Sequence, residues 1–437
     1  MGWLHLDWRV VLVSNNANNS SKAGSFALNA NNTWSNANVN IASHLCLWYT
    51  KIIDKCSHLA PWQKIKKSLI QFGSLVSDRT TGGEISKLMK RHGFLFEKIC
   101  DMENIALAHK NASKGKMHYK EVQMVNSEPE KYLNSIRSML KEHSYRNSPY
   151  EVMTKKTDNG KVREIFKLPY FPDRIIHHAI IQVVEPIWFN SLIRDTYSSI
   201  KGRGIHDGVR RIKKALFDKE NTQYCLKMDV KKFYPSIDNQ ILKQIIRRKI
   251  KDAELLWLLD EIIDSTHGVP IGNYLSQYFG NLYLSQLDHI IKSKAKHYFR
   301  YCDDMVVFHG DKQFLHQLKN EIETYLNQQL NLRLKQNWQV FPVDKQGVDF
   351  LGYRFFHKYT LLRKSIKQRF VTTMKRIVTK HQHMTVTAIN SMMSYYGWFK
   401  YSNCKNLQNK YFDKQIAFIV KHLCLDNGIT NPLSKIA

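Results

Sequence analysis

The sequence has no long apolar run, few cysteines and comparatively few acidic residues. No stretch of about 18 consecutive apolar residues occurs, so we expect no membrane-spanning helix. The 7 cysteines include no C-x-x-C pair, which argues against a disulfide framework or structural zinc and favours free thiols in a reducing cytoplasm. Asp and Glu number 37 against 66 for Lys and Arg, a formal net charge of +29. This excess predicts a polyanionic partner, nucleic acid before a membrane surface.

The chain of 437 residues is long enough for two or three domains, and its 43% hydrophobic residues suffice for a sizeable core. Residues 14–40 differ from the rest because they contain ten asparagines and a single charged residue, Lys22. This composition is typical of a disordered polar leader. From about Met89 onward, the spacing of apolar residues indicates a folded chain.

Periodic apolar residues predict alternating helices and hairpins in the folded part. The predicted helices cover 131–143, 173–190 (capped by Asp173) and 312–330, and a further long helix follows a Gly-Pro turn within 268–292. The predicted hairpins cover 154–169, around an Asp-Asn-Gly turn, and 347–363. From about residue 364 the chain is expected to be helical and basic.

Carboxylates end or join the predicted strands at two places. Residues 224–229 alternate with period two and end at Asp229, before a helix that Asp238 can cap. Residues 298–310 predict a strand, a tight turn at Asp303-Asp304 and a second strand. Adjacent ionised carboxylates repel each other, and a protein tolerates them best when a cation lies between them.

Three carboxylates on neighbouring strands can hold two Mg²⁺ ions about 3.5–4 Å apart, the arrangement used for nucleotidyl transfer. One ion lowers the pKa of the attacking 3′-hydroxyl, and the other holds the triphosphate. We therefore expect Asp229, Asp303 and Asp304 to be catalytic residues and metal ligands, with Val230 as a further metal-contacting position.

Three motifs resemble those of reverse transcriptases. Asp229-Val-Lys-Lys-Phe-Tyr-Pro-Ser-Ile-Asp238 resembles the first palm motif, and Tyr301-Cys-Asp-Asp304 resembles the Tyr-x-Asp-Asp box. Between them, Val269-Pro-Ile-Gly-Asn-Tyr-Leu-Ser-Gln277 is similar to the pattern of the subfamily found in diversity-generating retroelements. The resemblance begins near Met89 and extends into the last third of the chain.

The resemblance implies an α+β fold, the right-hand polymerase with fingers, palm and helical thumb. The expected segments are an asparagine-rich leader (1–46), a spacer (47–88), N-terminal helices and fingers (89–222), a palm with a primer-grip hairpin (223–360) and a helical thumb (361–437).

The resemblance also implies which residues bind the incoming dNTP. Tyr234 lies at the position of the sugar gate, whose ring excludes a 2′-hydroxyl. Lys161 and Arg163 match the basic pair that grips the triphosphate. Ile271, beside Gly272, replaces the glutamine of most relatives, which predicts looser discrimination between bases; a packing role is the alternative for Ile271.

Further residues are expected to hold the primer and the template–primer duplex. Phe350-Leu351-Gly352 resembles the primer grip, and Lys335 is a candidate proton donor to pyrophosphate. Basic clusters are expected to contact phosphates of an RNA–DNA hybrid. The predicted phosphate contacts are Lys201, Arg203, Arg210, Arg211, Arg247 and Arg248.

The resemblance implies that the enzyme copies a template-repeat RNA into cDNA with errors at adenines, and that this cDNA diversifies a target gene. The implied partners are the template RNA, the primer–template duplex, dNTPs and a small helical accessory protein, in the cytoplasm of a bacterium or encoded by a phage. Two alternatives stay open: a group II intron or retron enzyme, and a non-catalytic RNA-binding protein on a polymerase scaffold.

The asparagine-rich segment has a second interpretation besides a disordered leader. Asparagine codons are adenine-rich, and the template repeat of this family commonly lies upstream of the polymerase gene. Residues 1–46 are therefore also interpreted as a template repeat translated in frame, with the working protein beginning near Met89.

Overall fold

The computed structural model describes residues 91–156, 162–379 and 394–413, all within the compact unit Met89–Ala437. The predicted leader (1–46), the spacer (47–88) and Lys161 lie outside the described residues. No helix in the described part of the chain is long and apolar enough to cross a bilayer.

The first part of the described chain is a packed group of helices. Helix α5 is apolar around most of its circumference, and this composition requires burial on nearly all sides. Asparagines of α2 reach α5, since Asn104 Nδ2 donates to the carbonyl of Ala179 (3.2 Å) and Asn111 Nδ2 to Gln182 Oε1 (2.8 Å). The helices are α1 (Phe96–Ile99), α2 (Met102–Ser113), α3 (Lys120–Ser127), α4 (Pro129–Lys141) and α5 (Ile175–Phe189).

The strand pairing of the predicted hairpin before α5 is confirmed, whereas its Asp-Asn-Gly turn lies outside the described residues. Strands β1 (Glu151–Lys156) and β2 (Val162–Lys167) pair antiparallel and are largely exposed. The backbone N–H of Phe166 donates to the carbonyl of Ile271 (2.7 Å), so the hairpin contacts the segment that carries one of the predicted nucleotide-binding motifs.

A five-stranded sheet forms the centre of the described chain. Its spatial order is β3-β5-β6-β4-β7, with every neighbouring pair antiparallel except the parallel pair β3–β5. The first strand precedes residue 223, so this sheet extends beyond the segment predicted as palm. The strands are β3 (Thr196–Tyr197), β4 (Tyr224–Asp229), β5 (His297–Tyr301), β6 (Asp304–His309) and β7 (Gln339–Pro342).

Helices connect the strands of this sheet, and three of them have an aspartate as N-cap. The predicted cap at Asp238 is confirmed, because its side chain accepts hydrogen bonds from the backbone of Gln240 (2.9 Å) and Ile241 (3.1 Å). The predicted helix 312–330 is also confirmed, with its apolar stripe buried. The helices are α6 (Ile205–Ala215), α7 (Asn239–Arg247), α8 (Ala253–Ile263), α9 (Ser276–Tyr283), α10 (Ser285–Lys294) and α11 (Lys312–Leu330).

A second, three-stranded sheet and the described C-terminal helices share a separate hydrophobic cluster. Fully buried aromatic rings dominate it, among them Phe350, Tyr353 and Phe370. Each such ring removed from water contributes roughly 1.5–3 kcal/mol. The elements are α12 (Val343–Gln346), β8 (Val348–Phe350), β9 (Tyr353–Phe355), β10 (Thr360–Leu362), α13 (Lys364–Thr379), a helix at 394–399 and α14 (Lys405–Gln408).

Three sequence predictions differ from the observed elements. The long helix predicted after the Gly-Pro turn in 268–292 begins at Ser276 but is divided at Leu284, where Ser285 Oγ donates to the carbonyl of Leu282 (2.7 Å). Asp173 does not cap a helix, because its buried carboxylate accepts from the Tyr145 hydroxyl (2.8 Å). The second predicted hairpin continues into a third strand, β10.

We expect Gly268→Ala to destabilise the protein more than Gly115→Ala. Both glycines have a left-handed backbone (φ +71° and +70°), so both variants carry similar backbone strain. A Cβ at residue 268 would also lie 2.6 Å from the carbonyl oxygen of Pro235, whereas nothing lies within 4 Å at residue 115. Thermal unfolding of the two variants measures the difference, and equal unfolding temperatures would contradict the packing described here.

Candidate active site

The three predicted carboxylates meet where β4 ends and β6 begins. Asp229 pairs with Asp304 in the sheet register. The strands β5 and β6 are joined by a two-residue turn, Cys302-Asp303, and Cys302 has φ 54°. A left-handed residue in so short a turn is typical of the primed turns that match the twist of a hairpin. This turn brings Asp303 within hydrogen-bonding reach of Asp229.

The electrostatics of the site oppose a full set of negative charges. Burial, with the charge of Asp229 next, raises the pKa of Asp303 to about 6. Burial likewise raises the pKa of Asp304 to about 7, against the opposing charge of Lys227. Lys335 Nζ lies 2.6 Å from Asp229 Oδ2, and Lys227 Nζ lies 3.8 Å from Asp304 Oδ2.

The residues present fit a divalent cation. Asp229 Oδ1 and Asp304 Oδ1 are buried and have no hydrogen-bond partner, which is costly for a carboxylate unless a cation satisfies it. Among the residues that the structure describes, no group of three or more His, Cys, Asp or Glu side chains is arranged so that it could hold a metal ion by itself. A cation bound here would take some of its oxygens from Asp229, Asp303 and Asp304 and others from a ligand.

Two predicted nucleotide-binding residues lie in the loop that contacts the fingers hairpin. Gly272 has φ +124°, and a Cβ there would lie 2.4 Å from the carbonyl oxygen of Phe166. Ile271 is half-buried and accepts the backbone hydrogen bond of Phe166. Arg163 is exposed on β2. Nucleotide contacts by these three residues stay predictions.

Tyr234 follows the strand that carries Asp229 and is held from two sides. Its hydroxyl donates to Gln277 Oε1 (2.8 Å). A Cβ on Gly280 would lie 3.0 Å from its ring, so the glycine allows the ring to pack closely on α9. Phe233 is buried, in agreement with its interpretation as the core aromatic residue of the pair.

The predicted primer-grip residues form the tight turn between β8 and β9. Leu351 and Gly352 both have positive φ (52° and 84°). A Cβ on Gly352 would lie 2.4 Å from the Trp398 ring, and one on Gly208 would lie 2.5 Å from Leu351 Cδ1. The turn is therefore packed between α6 and the helix at 394–399. Contact of Phe350-Leu351-Gly352 with a primer stays a prediction.

One of the six predicted phosphate contacts, Arg203, is mostly buried. Arg203 is only 8% exposed, its Nη1 donates to the carbonyl of Ile193 (2.7 Å), and its guanidinium lies 4.0 Å from the Phe189 ring centre. Most of this side chain therefore contacts protein, and its contact with a duplex phosphate stays a prediction.

The other five predicted phosphate contacts differ in their exposure and in their pairing with carboxylates. Lys201 and Arg210 are exposed, and Arg210 makes only a long contact with Asp207 (3.4 Å). Arg248 is exposed and donates to Gln286. The remaining two arginines form bidentate pairs with carboxylates, which neutralise much of their charge: Arg211 with Asp195, and Arg247 with Asp260.

Sequence reasoning missed two charged residues next to the carboxylates. Lys227 lies two residues before Asp229, so the period of the strand places both side chains on one face of the sheet. The sequence alone therefore indicated that Lys227 lies near the carboxylates. Arg300 is fully buried in the strand that leads into the carboxylate turn. The signal for Arg300 was an arginine inside an apolar and aromatic strand, a position where that residue is rare unless it is paired.

The comparisons with known proteins agree with this geometry. Residues 154–355, slightly under half of the chain, match the family described as reverse transcriptase (RNA-dependent DNA polymerase). Protein YkfC of Escherichia coli is 24% identical over 304 residues, which cover 59% of this chain and 79% of that protein. The group II intron-encoded protein LtrA of Lactococcus lactis is 24% identical over 174 residues, 37% of this chain but only 28% of that protein.

Among solved structures, apo telomerase from Candida tropicalis matches with a TM-score of 0.40 and 13% identity, over 51% of this chain and 49% of that chain. Residues 154–355 are therefore a reverse transcriptase domain, on the evidence of the family match. The predicted α+β right-hand polymerase fold and the predicted enzyme class, RNA-directed DNA polymerase, are confirmed.

The raised carboxylate pKa values predict that the metal-free protein loses stability as pH rises. An unfolded Asp titrates near pH ~3.9, whereas Asp304 in the folded protein titrates at about 7. Between these values the folded state binds more protons, so the free energy of unfolding falls with increasing pH. Thermal unfolding in a chelator at about pH 5 and about pH 7.5 measures this fall.

Asp304→Asn removes the titration and should flatten this pH dependence. Asp264→Asn, at an exposed carboxylate paired with Lys243, is the matched control and should keep the wild-type slope. Equal slopes for Asp304→Asn and the wild type would contradict the electrostatics of the site.

Proposed function

We propose that the chain from Met89 onward is a Mg²⁺-dependent reverse transcriptase of the diversity-generating retroelement class. The observation that carries the catalytic part is the convergence of Asp229, Asp303 and Asp304, with buried, unpartnered oxygens on two of them. Two Mg²⁺ ions bound there would supply the activation of the primer 3′-hydroxyl and the neutralisation of the triphosphate.

The residues around the carboxylates have separate roles in this proposal. Asp229, Asp303 and Asp304 hold the ions, with the backbone of Val230 beside them. Lys335, 2.6 Å from Asp229 Oδ2, is placed to give a proton to the departing pyrophosphate. Lys227 limits the repulsion at Asp304 by its positive charge.

Tyr234 selects deoxyribonucleotides in this proposal. Its ring cannot swing away easily, because the hydroxyl is bonded to Gln277 and the ring packs against Gly280. A fixed ring under the sugar leaves no room for a 2′-hydroxyl. Lys161 and Arg163 on the fingers hairpin hold the triphosphate.

The loop 269–277 supports the retroelement class. Gly272 is the residue that allows the loop to touch the fingers hairpin, and Asn273 Nδ2 donates to the Tyr150 hydroxyl (2.9 Å). Gln277 accepts from Tyr234. Ile271 presents an aliphatic side chain between these fixed residues, where most relatives have a glutamine, and so weakens discrimination between bases.

The biological role follows from that class. The enzyme copies a template-repeat RNA into cDNA with errors at adenines, together with a small helical accessory protein, and the cDNA diversifies a target gene. Residues 1–46 are proposed to be the translated template repeat and Met89 the start of the working protein. The boundaries 89–222, 223–360 and 361–437 for fingers, palm and thumb are likewise proposals.

A group II intron reverse transcriptase is the second candidate, and the relatedness to LtrA favours it. The two candidates differ in the DNA around the gene. A near-identical repeat that differs mainly at adenines, at the end of another gene, supports the retroelement; flanking intron RNA domains support the intron enzyme. A non-catalytic RNA-binding protein is the third candidate, and absence of any primer extension by the wild type would favour it.

Asp229→Asn and Asp303→Asn should each abolish primer extension on an RNA template. Loss of one carboxylate removes a charged ligand of the two-metal site, while the neutral amide keeps the shape of the side chain. The matched control is Glu130→Gln, an exposed position on α4, which should extend primers as the wild type does. Wild-type extension by either Asn variant would contradict the assignment.

Ile271→Gln should lower misincorporation opposite template adenines, because the amide restores a polar contact that an aliphatic side chain cannot make. The measurement is sequencing of cDNA made by both enzymes on one RNA template, with errors counted for each template base. An unchanged error spectrum would assign Ile271 to packing alone.

A further inference from the structure

A fully buried ion pair lies beneath the carboxylate turn. Arg300 and Asp288 are both 0% exposed in their side chains, and Arg300 Nη2 lies 2.6 Å from Asp288 Oδ2. Arg300 Nε donates to Asp288 Oδ1 (2.7 Å) as well. The same carboxylate accepts from the hydroxyls of Tyr298 (2.7 Å) and Thr196 (3.2 Å), so it is satisfied by neighbours from β5 and β3.

The guanidinium also reaches the turn itself. Arg300 Nη1 donates to the carbonyl oxygen of Cys302 (2.8 Å), the left-handed residue directly before Asp303. Its Nη2 donates to the carbonyl oxygen of Asn281 on α9 (3.2 Å). One side chain therefore joins the helix α10, which carries Asp288, the helix α9 and the backbone of the turn.

A second contact supports the turn from the opposite side. Asn281 Nδ2 donates to the carbonyl oxygen of Ser198 (3.0 Å), and Cys302 Sγ lies 2.9 Å from Ser198 Oγ. Ser198 has φ 92°, a conformation that is strained for a residue with a side chain and persists only where neighbours hold it. These hydrogen bonds therefore fix α9 and the backbone at Ser198, the two segments that support Cys302.

Stability alone does not account for such a pair. Two charges lose their hydration when they are buried, and apolar residues of the same size often stabilise a fold equally well or better. A buried ion pair is useful where the neighbouring backbone must keep one exact position. The two carboxylates that follow the turn repel each other and Asp229, so the turn would relax outward without an anchor.

We propose that Arg300 is a positioning residue for the metal-binding carboxylates. It holds the carbonyl of Cys302, through its buried pairing with Asp288, so that Asp303 and Asp304 stay beside Asp229 at the end of β4. This inference rests on the proposed polymerase function, and it concerns neither substrate nor metal contact by Arg300 itself.

The planar, forked guanidinium is essential to this role. It donates from Nε and Nη2 to Asp288 while Nη1 stays free for Cys302. A lysine has a single ammonium group, which can keep the ion pair with Asp288 but cannot also donate to the carbonyl of Cys302. Arg300→Lys therefore separates the positioning role from simple neutralisation of Asp288.

The experiment compares the full-length wild type with Arg300→Lys and the control Arg194→Lys. The control makes the same substitution at an exposed pair with Asp207 (2.9 Å), outside the proposed site. Three quantities are measured: Mn²⁺ affinity by electron paramagnetic resonance, kcat for primer extension, and affinity for the template–primer duplex. For Arg300→Lys we expect Mn²⁺ affinity and kcat to fall about 10–100-fold, with unchanged duplex affinity.

Wild-type Mn²⁺ affinity in Arg300→Lys would overturn the inference, and so would an equal loss in the control. If Arg300→Lys unfolds, Asn281→Ala decides, because it removes the support of Ser198 without unpairing a buried charge. That variant should also bind Mn²⁺ more weakly at an unchanged duplex affinity, and wild-type Mn²⁺ affinity there would overturn the inference. Absence of DNA synthesis by the wild type would refute the proposed function instead, and the Mn²⁺ measurement would still test the inference.

Discussion

The repulsion among three carboxylates at one end of a sheet is the constraint on which this structure depends. Asp229, Asp303 and Asp304 come together only because strand register and a two-residue turn force them to. Burial, with the charge of Asp229 as a smaller contribution, raises the pKa of Asp303 and of Asp304, so the arrangement opposes full ionisation of the three carboxylates. A divalent cation would convert the repulsion into binding energy, which explains why a fold would keep such a cluster.

Residues around the three carboxylates offset their repulsion and hold the turn in place. Lys227 and Lys335 place positive charge at the two outer carboxylates, and the buried pair Arg300–Asp288 anchors the turn. Lys227 also donates to the carbonyl of Asp349, so the central sheet and the second sheet are joined next to the active site. The proposed primer-grip turn is thereby attached to the element that carries the catalytic residues.

The sequence predicted those parts of the fold in which local pattern and tertiary structure agree. Period two in 224–229 and the cap at Asp238 were sufficient to predict the first strand and the helix. The tight turn predicted at Asp303-Asp304 lies one residue earlier, at Cys302-Asp303. The family motifs identified a reverse transcriptase domain, which the match over 154–355 confirms.

The sequence could not predict the surroundings of residues whose partners are distant in the chain. Arg203 belongs to a basic run, and only the structure brings it against Phe189 and the carbonyl of Ile193. The side-chain partners of Arg300 lie on two helices, α9 and α10, and on the turn at Cys302, so no local pattern could reveal its role.

The stoichiometry of bound metal tests the central claim most directly. Mn²⁺ can be counted by electron paramagnetic resonance on the full chain in complex with an RNA template, a chain-terminated DNA primer and the matching dNTP. The account predicts two ions for each protein chain, and their loss when the dNTP and the duplex are withheld and a chelator is added. Binding of no ion by the complete complex would contradict the account.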